Sequence, residues 1–168
     1  MDQRRGVLSC LPFLVLASAA LAQAPDELRN WFDDPFFPLS SEVPDCPVPL
    51  GPFMTEAERR VQAHHRAERG TTCWLAGQCE RPNAYAYDQG IAQALRAAAL
   101  DRPALFAGTS LWATVQGRVV FIEGCAAGPH AAAELERFAR AVPGVQQALV
   151  LLRTGAGAAP PYRVRPGR

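Results

Sequence analysis

From Asp88 onward the apolar positions follow two different periods. Ile91, Leu95 and Ala98-Ala99 recur at helical spacing, and Asp88 is placed to cap that helix. Asp101-Arg102-Pro103 ends it. Thr109 to Gln116 then alternates, with Leu111, Ala113 and Val115 on one face, and Gln116-Gly117 is a turn signal. Val119 to Glu123 reads as a β-branched and aromatic strand closed by Gly124. Pro129 opens a second helix whose apolar positions are Ala132, Leu135, Phe138-Ala139 and Val142. Pro143-Gly144 stops it, and Val145 to Leu152 is a last strand. The order is helix, strand, strand, helix, strand.

The preceding stretch has a different texture. Residues 23–54 hold Trp31-Phe32-Asp33-Asp34-Pro35-Phe36-Phe37-Pro38 and then Pro44, Pro47, Pro49 and Pro52, a proline density that forbids a regular helix. The aromatic cluster reads either as an anchor for a partner or membrane interface, or as an extended arm packed on its own domain. Thr55 to Arg69 predicts a helix, with Thr55-x-x-Glu58 as a capping box and Gly70 as its stop. Its apolar stripe, Ala57, Val61 and Ala67, is thin, so one side should face water. His64 and His65 in that helix point about 100° apart, which is a poor geometry for one metal and suits two solvent-facing histidines.

The N-terminus reads as an address. Arg4 and Arg5, an apolar run from Val7 to Leu21 and Ala20-Leu21-Ala22 match a secretory signal peptide cleaved after Ala22. Arg4-Arg5-Gly6-Val7-Leu8 is also a partial twin-arginine pattern. No other stretch is long and apolar enough to span a membrane. In such a chain Cys10 is removed with the signal, and Cys46, Cys73, Cys79 and Cys125 read as two disulfides, because their spacing is unlike the close pairs of structural zinc.

Composition narrows the chemistry. All 17 basic residues of the 168 are Arg. Without lysine there is no Schiff base and no P-loop. No nucleophile motif or metal spacing stands out, so the reading is non-catalytic, with no cofactor and no metal. The formal net charge of +1 gives no footprint for nucleic acid. That near-neutrality averages three regions: residues 23–87 carry 10 acids and 6 Arg, residues 88–152 carry 5 of each, and residues 153–168 carry 4 Arg and no acid.

Gly117, Val120-x-Ile122-x-Gly124, the alanine-rich second helix, Val142-x-Gly144-Val145 and Ala148-x-Val150-x-Leu152 together resemble the BON domain, a module of exported bacterial envelope proteins. The likeness covers residues 88–152. It implies an α+β fold, a small three-stranded mixed sheet with two helices on one face (αββαβ). Here that unit would follow a Pro/aromatic/Cys-rich extension, residues 23–87, with one helix, and would precede a flexible basic tail, residues 153–168. Three features depart from the family pattern. The turn from Gly117 to Val120 reads one residue long, as a bulge would allow. Cys125 follows the strand-ending glycine, and there is a single copy. In the implied fold Cys79 enters about 18 Å from the Cys125 end of the first helix. This favours Cys73–Cys79 and Cys46–Cys125 among the three connectivities.

The same fold sends Leu111, Ala113, Val115, Val120, Ile122, Val145, Ala148, Val150 and Leu152 toward the helices, and Trp112, Phe121, Leu149 and Leu151 to the opposite face. An apolar outer face is covered by something, since each such side chain is worth about 1.5–3 kcal/mol when buried. The expected cover is residues 31–87, with a partner protein or lipid as the alternative. The resemblance implies phospholipid binding or support of envelope integrity under stress in the periplasm. Arg153, Arg163, Arg165 and Arg168 are the candidate contact for anionic lipid. The other reading is a protein-interaction part of an envelope or secretion assembly.

Overall fold

The computed structural model describes residues 27–128 and 131–167. The N-terminal segment read as a signal peptide, Arg168, and the Pro129 expected to open the second helix lie outside the described residues. Strand β2 (Thr109–Gln116) has the limits its alternation predicts, and it pairs antiparallel with β3 (Val119–Ala126). Strand β4 (Gln147–Arg153) pairs parallel with β3. Helix α3 (Asp88–Leu100) and helix α5 (Ala131–Arg140) cover one face. Ile91, Leu95, Leu135 and Phe138 meet Leu111, Ala113, Val115, Val120, Ile122 and Ala148 in one buried core. Val145, Val150 and Leu152 pack partly buried against it.

The sheet has four strands, not three. Strand β1 (Phe36–Ser41), from the extension, pairs antiparallel with β2, giving the order β1-β2-β3-β4. The extension therefore belongs to the fold. Phe37 is in the main core, and the register shift lies between Pro38 and Ser40 of β1, not in the β2–β3 turn. Prolines on both sides of Phe36-Phe37 disguise this strand. On an outermost strand a proline is tolerated, because an N–H facing away from the ladder is not needed.

Helix α1 (Glu56–Glu68) carries both halves of its capping box: the Glu58 N–H donates to Thr55 Oγ1 at 3.2 Å, and the Thr55 N–H donates to Glu58 Oε2 at 2.8 Å. Yet none of its residues is buried, and Val61 is 62% exposed. Apolar packing does not dock this helix. The extension holds more than the one helix expected: a short helix α2 (Thr71–Leu75) and a 3-10 turn (Ala84–Tyr87) lie between α1 and α3. A further short helix, α4 (Pro103–Phe106), follows α3, and its Phe106 ring meets Phe138 edge-on at 5.3 Å. No helix among the described residues is long and apolar enough to cross a membrane.

Two local expectations are corrected. Asp88 is the first residue of α3 but makes no capping bond. Its Oδ2 accepts from the Gly117 N–H at 2.6 Å and its Oδ1 from the Arg118 N–H at 2.8 Å. The β2–β3 turn has φ of +59° at Gly117 and +67° at Arg118, as a two-residue type I′ hairpin requires. One of the two residues of this left-handed turn is thus not glycine, and the turn is held by a carboxylate from another element. Gly124 does not close β3 either. It sits inside the strand with φ +150°, and a Cβ there would lie 2.0 Å from the Ser110 carbonyl oxygen.

Gly124→Ala should therefore destabilise the oxidised protein by about 3 kcal/mol or more, as a lower urea midpoint. Gly90→Ala, where an added methyl meets nothing within 4 Å, should leave the midpoint unchanged or raise it. Equal, small effects of the two would contradict the β2–β3 packing.

Candidate binding surface

Opposite residues of paired strands share a face. The outer face is thus built from Phe36 and Pro38 of β1, Ser110, Trp112 and Thr114 of β2, Phe121, Glu123 and Cys125 of β3, and Leu149, Leu151 and Arg153 of β4. Trp112, Phe121, Leu149 and Leu151, brought together here, are unequally covered: the first two and Leu151 are partly buried, while Leu149 remains 37% exposed.

The cover comes from two segments. Cys46 bonds to Cys125 at a Cα separation of 5.8 Å, so the arm is tied to the end of β3. Beyond it Pro49 and Pro52 are fully buried and Leu50 nearly so. Gly51 rests against the Phe36 ring and roofs a pit lined by Thr114, Gln116, Phe121 and Glu123. The second segment is the C-terminus, where a free tail was expected. The Leu50 N–H donates to the Arg163 carbonyl at 2.7 Å and the Arg165 N–H to the Val48 carbonyl at 2.9 Å, a short antiparallel ladder. Tyr162 is buried, its hydroxyl 3.8 Å from both Cys46 and Cys125 sulfurs and donating to the Pro47 carbonyl at 2.9 Å. The aromatic arm packs on its own domain. The second disulfide, Cys73–Cys79 with Cα atoms 5.4 Å apart, closes a small loop after α1.

The tail arginines do not form one cluster of free charges. Arg153 closes β4 and donates to the Asp45 carbonyl at 3.2 Å. Arg163 pairs with Glu58 at 3.3 Å while staying largely in solvent, and Arg165 stacks over Phe53 at 4.1 Å. Arg168 lies outside the described residues. Around the ladder, Val48 and Val164 are exposed.

A polar hub escaped the sequence reading. The Asp34 carboxylate, 4% exposed, takes a two-pronged ion pair from Arg66 of α1, with Nη1 to Oδ1 at 2.8 Å and Nη2 to Oδ2, and accepts from Gln116 Nε2 at 2.6 Å. Asn30 bonds the Asp34 backbone in both directions. The guanidinium of Arg66 lies between the Phe32 ring at 3.9 Å and the Tyr85 ring at 4.2 Å. This pair docks α1. A helix with a capping box but almost no apolar stripe is the one sequence signal that pointed to it.

Three further features bear on chemistry. A groove of about 560 Å³ runs between β1 and helices α3 and α4, lined by Leu39, Arg96, Leu100 and Phe106 among others. His64 and His65 are exposed on α1. No group of three or more His, Cys, Asp or Glu among the described residues is placed to hold a metal ion. The chain matches no protein-family profile, no curated protein and no solved structure.

Two carboxyl groups sit in the wrong medium for a charge. Burial pushes Glu123 above its usual range. Burial also raises Asp88, against the lowering effect of the Arg118 and Gly117 N–H bonds. A raised native pKa means the folded state binds more protons than the unfolded one between the ordinary value, 4.5 for Glu123 and 3.8 for Asp88, and the raised one. Stability then falls as pH rises through that window. Glu123→Gln, which deletes the charge but keeps the shape, should be more stable than the parent at pH 7 and equal to it near pH 4, by urea unfolding at both. A loss of stability at pH 7 would contradict the burial of an unpaired carboxylate.

Proposed function

We propose that the chain is an exported, non-catalytic BON-type protein of the bacterial envelope that acts by binding, with anionic phospholipid as its target. The observation that carries the lipid reading is the arm–tail ladder. It presents Val48 and Val164 in solvent beside Arg163 and Arg165, apolar side chains next to cationic ones, which is what a phospholipid headgroup layer receives. Supporting the family reading, the helix–strand–strand–helix–strand core runs α3-β2-β3-α5-β4. Of the motif residues, Gly117 takes the left-handed backbone of the β2–β3 turn, and Gly124 sits where the neighbouring strand excludes a side chain. Disulfides suit an oxidising compartment such as the periplasm.

The competing reading, a protein-interaction module, is favoured by a different observation. Strand β4 ends the sheet, and among the described residues nothing pairs with its outer edge.

Co-sedimentation with vesicles tests the lipid reading. The chain from Gln23, oxidised, should bind vesicles containing phosphatidylglycerol at low salt and release at high salt. Arg163→Gln with Arg165→Gln should weaken binding roughly thirtyfold, at about 1 kcal/mol per arginine. No binding at low salt, or equal binding to purely zwitterionic vesicles, would overturn it.

A further inference from the structure

We propose that β4 pairs along its free edge with β4 of a second copy, antiparallel, about a two-fold axis at Val150. Two four-stranded sheets would then join into one. This inference rests on the interaction-module reading and not on lipid binding.

The edge itself calls for an extended backbone. An outermost strand leaves a row of N–H and C=O groups without ladder partners, and proteins blunt such edges with proline, charge or a bulge. β1, at the other end of the sheet, has Pro38 and a register shift. β4 reads Gln-Ala-Leu-Val-Leu-Leu-Arg, with no proline, no bulge and a charge only at its last position.

A second copy fits this edge because the edge complements itself. Centring on Val150 places Gln147 opposite Arg153, Ala148 opposite Leu152 and Leu149 opposite Leu151. No like charges meet, and Leu149, the most exposed leucine of the strand, gains an apolar neighbour on the outer face. The helix layer agrees. α5 has Phe138 turned toward α4, where it meets Phe106, and Glu134 beside Leu105 and Gly108. At 100° per residue, Glu136 and Arg140 lie on the side of α5 away from Phe138 and α4. They now pair with each other at 3.2 Å. A two-fold axis at Val150 runs the two α5 helices antiparallel, and the proposed dimer exchanges this pair, Glu136 of each copy meeting Arg140 of the other. The strand edge is self-complementary about one axis, which is the condition for a closed isologous dimer.

Sedimentation equilibrium of the oxidised chain from Gln23, over micromolar to millimolar concentrations, tests this. The expected result is a concentration-dependent shift to twice the monomer mass. Leu149→Lys and Glu136→Arg should each raise the dissociation constant about tenfold or more. Glu136→Arg combined with Arg140→Glu keeps both the internal and the cross-copy pairs, and should return it to within about threefold of the parent. A urea midpoint for each variant separates weakened pairing from unfolding. A monomer at every concentration, or a dimer indifferent to Leu149→Lys and Glu136→Arg, would overturn the proposal. Vesicle binding is read in a separate assay, so a monomer that still binds anionic vesicles would overturn the pairing and leave the lipid reading standing.

Discussion

The Cys46–Cys125 bond is the constraint on which the arrangement of this chain depends. It joins residues 79 apart in sequence, and on a chain-entropy account a loop of that size is worth about 4.5 kcal/mol. Its position matters as much as its size. It pins the arm over the end of β3, where Tyr162 packs against both sulfurs. Arm, sheet and C-terminal segment meet at one point. A sheet with apolar residues on both faces needs two covers, and here the helices supply one while the disulfide holds the other in place. The cover touches β4 at Arg153, which donates to the Asp45 carbonyl, but it leaves Leu149 37% exposed and, among the described residues, the outer edge of the strand unpaired.

The second tie is electrostatic. α1 buries no residue of its own, so its position comes from the Asp34–Arg66 pair and the rings on either side of the guanidinium. Such a pair adds little over an apolar contact of the same shape, but breaking it strands a buried charge. That makes it a device for placing α1 in one orientation. The absence of lysine acquires a physical meaning here. Arg96 over Phe37, Arg118 over Tyr87 and Arg165 over Phe53 repeat the stacking of Arg66. A planar, weakly hydrated guanidinium can lie flat on a ring and still offer its N–H groups in plane, which an ammonium cannot do.

Much of the fold was legible because its periods are clean. The alternation from Thr109 to Gln116 marks β2 to the residue, and the capping box marks the start of α1. The spacing of Leu135, Phe138 and Ala139 marks the buried side of α5. What escaped was non-local. Phe36–Ser41 has prolines in and beside it, and only β2 waiting alongside makes it a strand. Asp88 looked like a helix cap because a carboxylate at a helix start usually serves its own helix. Here the turn at Gly117-Arg118 takes it. The tail arginines looked free because nothing in Gly-Ala-Pro sequence announces that Tyr162 is an anchor. Of the candidate surface, the four apolar residues were placed on one face correctly by period-2 logic. Which of them stay open depends on the length of the arm and the docking of the tail, neither of which a periodicity encodes.

The central claim is that arm and tail form one disulfide-held cover. Hydrogen exchange at two backbone amides tests it most directly: Leu50, which donates to Arg163, and Arg165, which donates to Val48. In the oxidised protein both should exchange slowly. On reduction of Cys46–Cys125 both should become fast while the β2–β3 amides stay protected. Fast exchange of both amides with the disulfide intact would contradict the account.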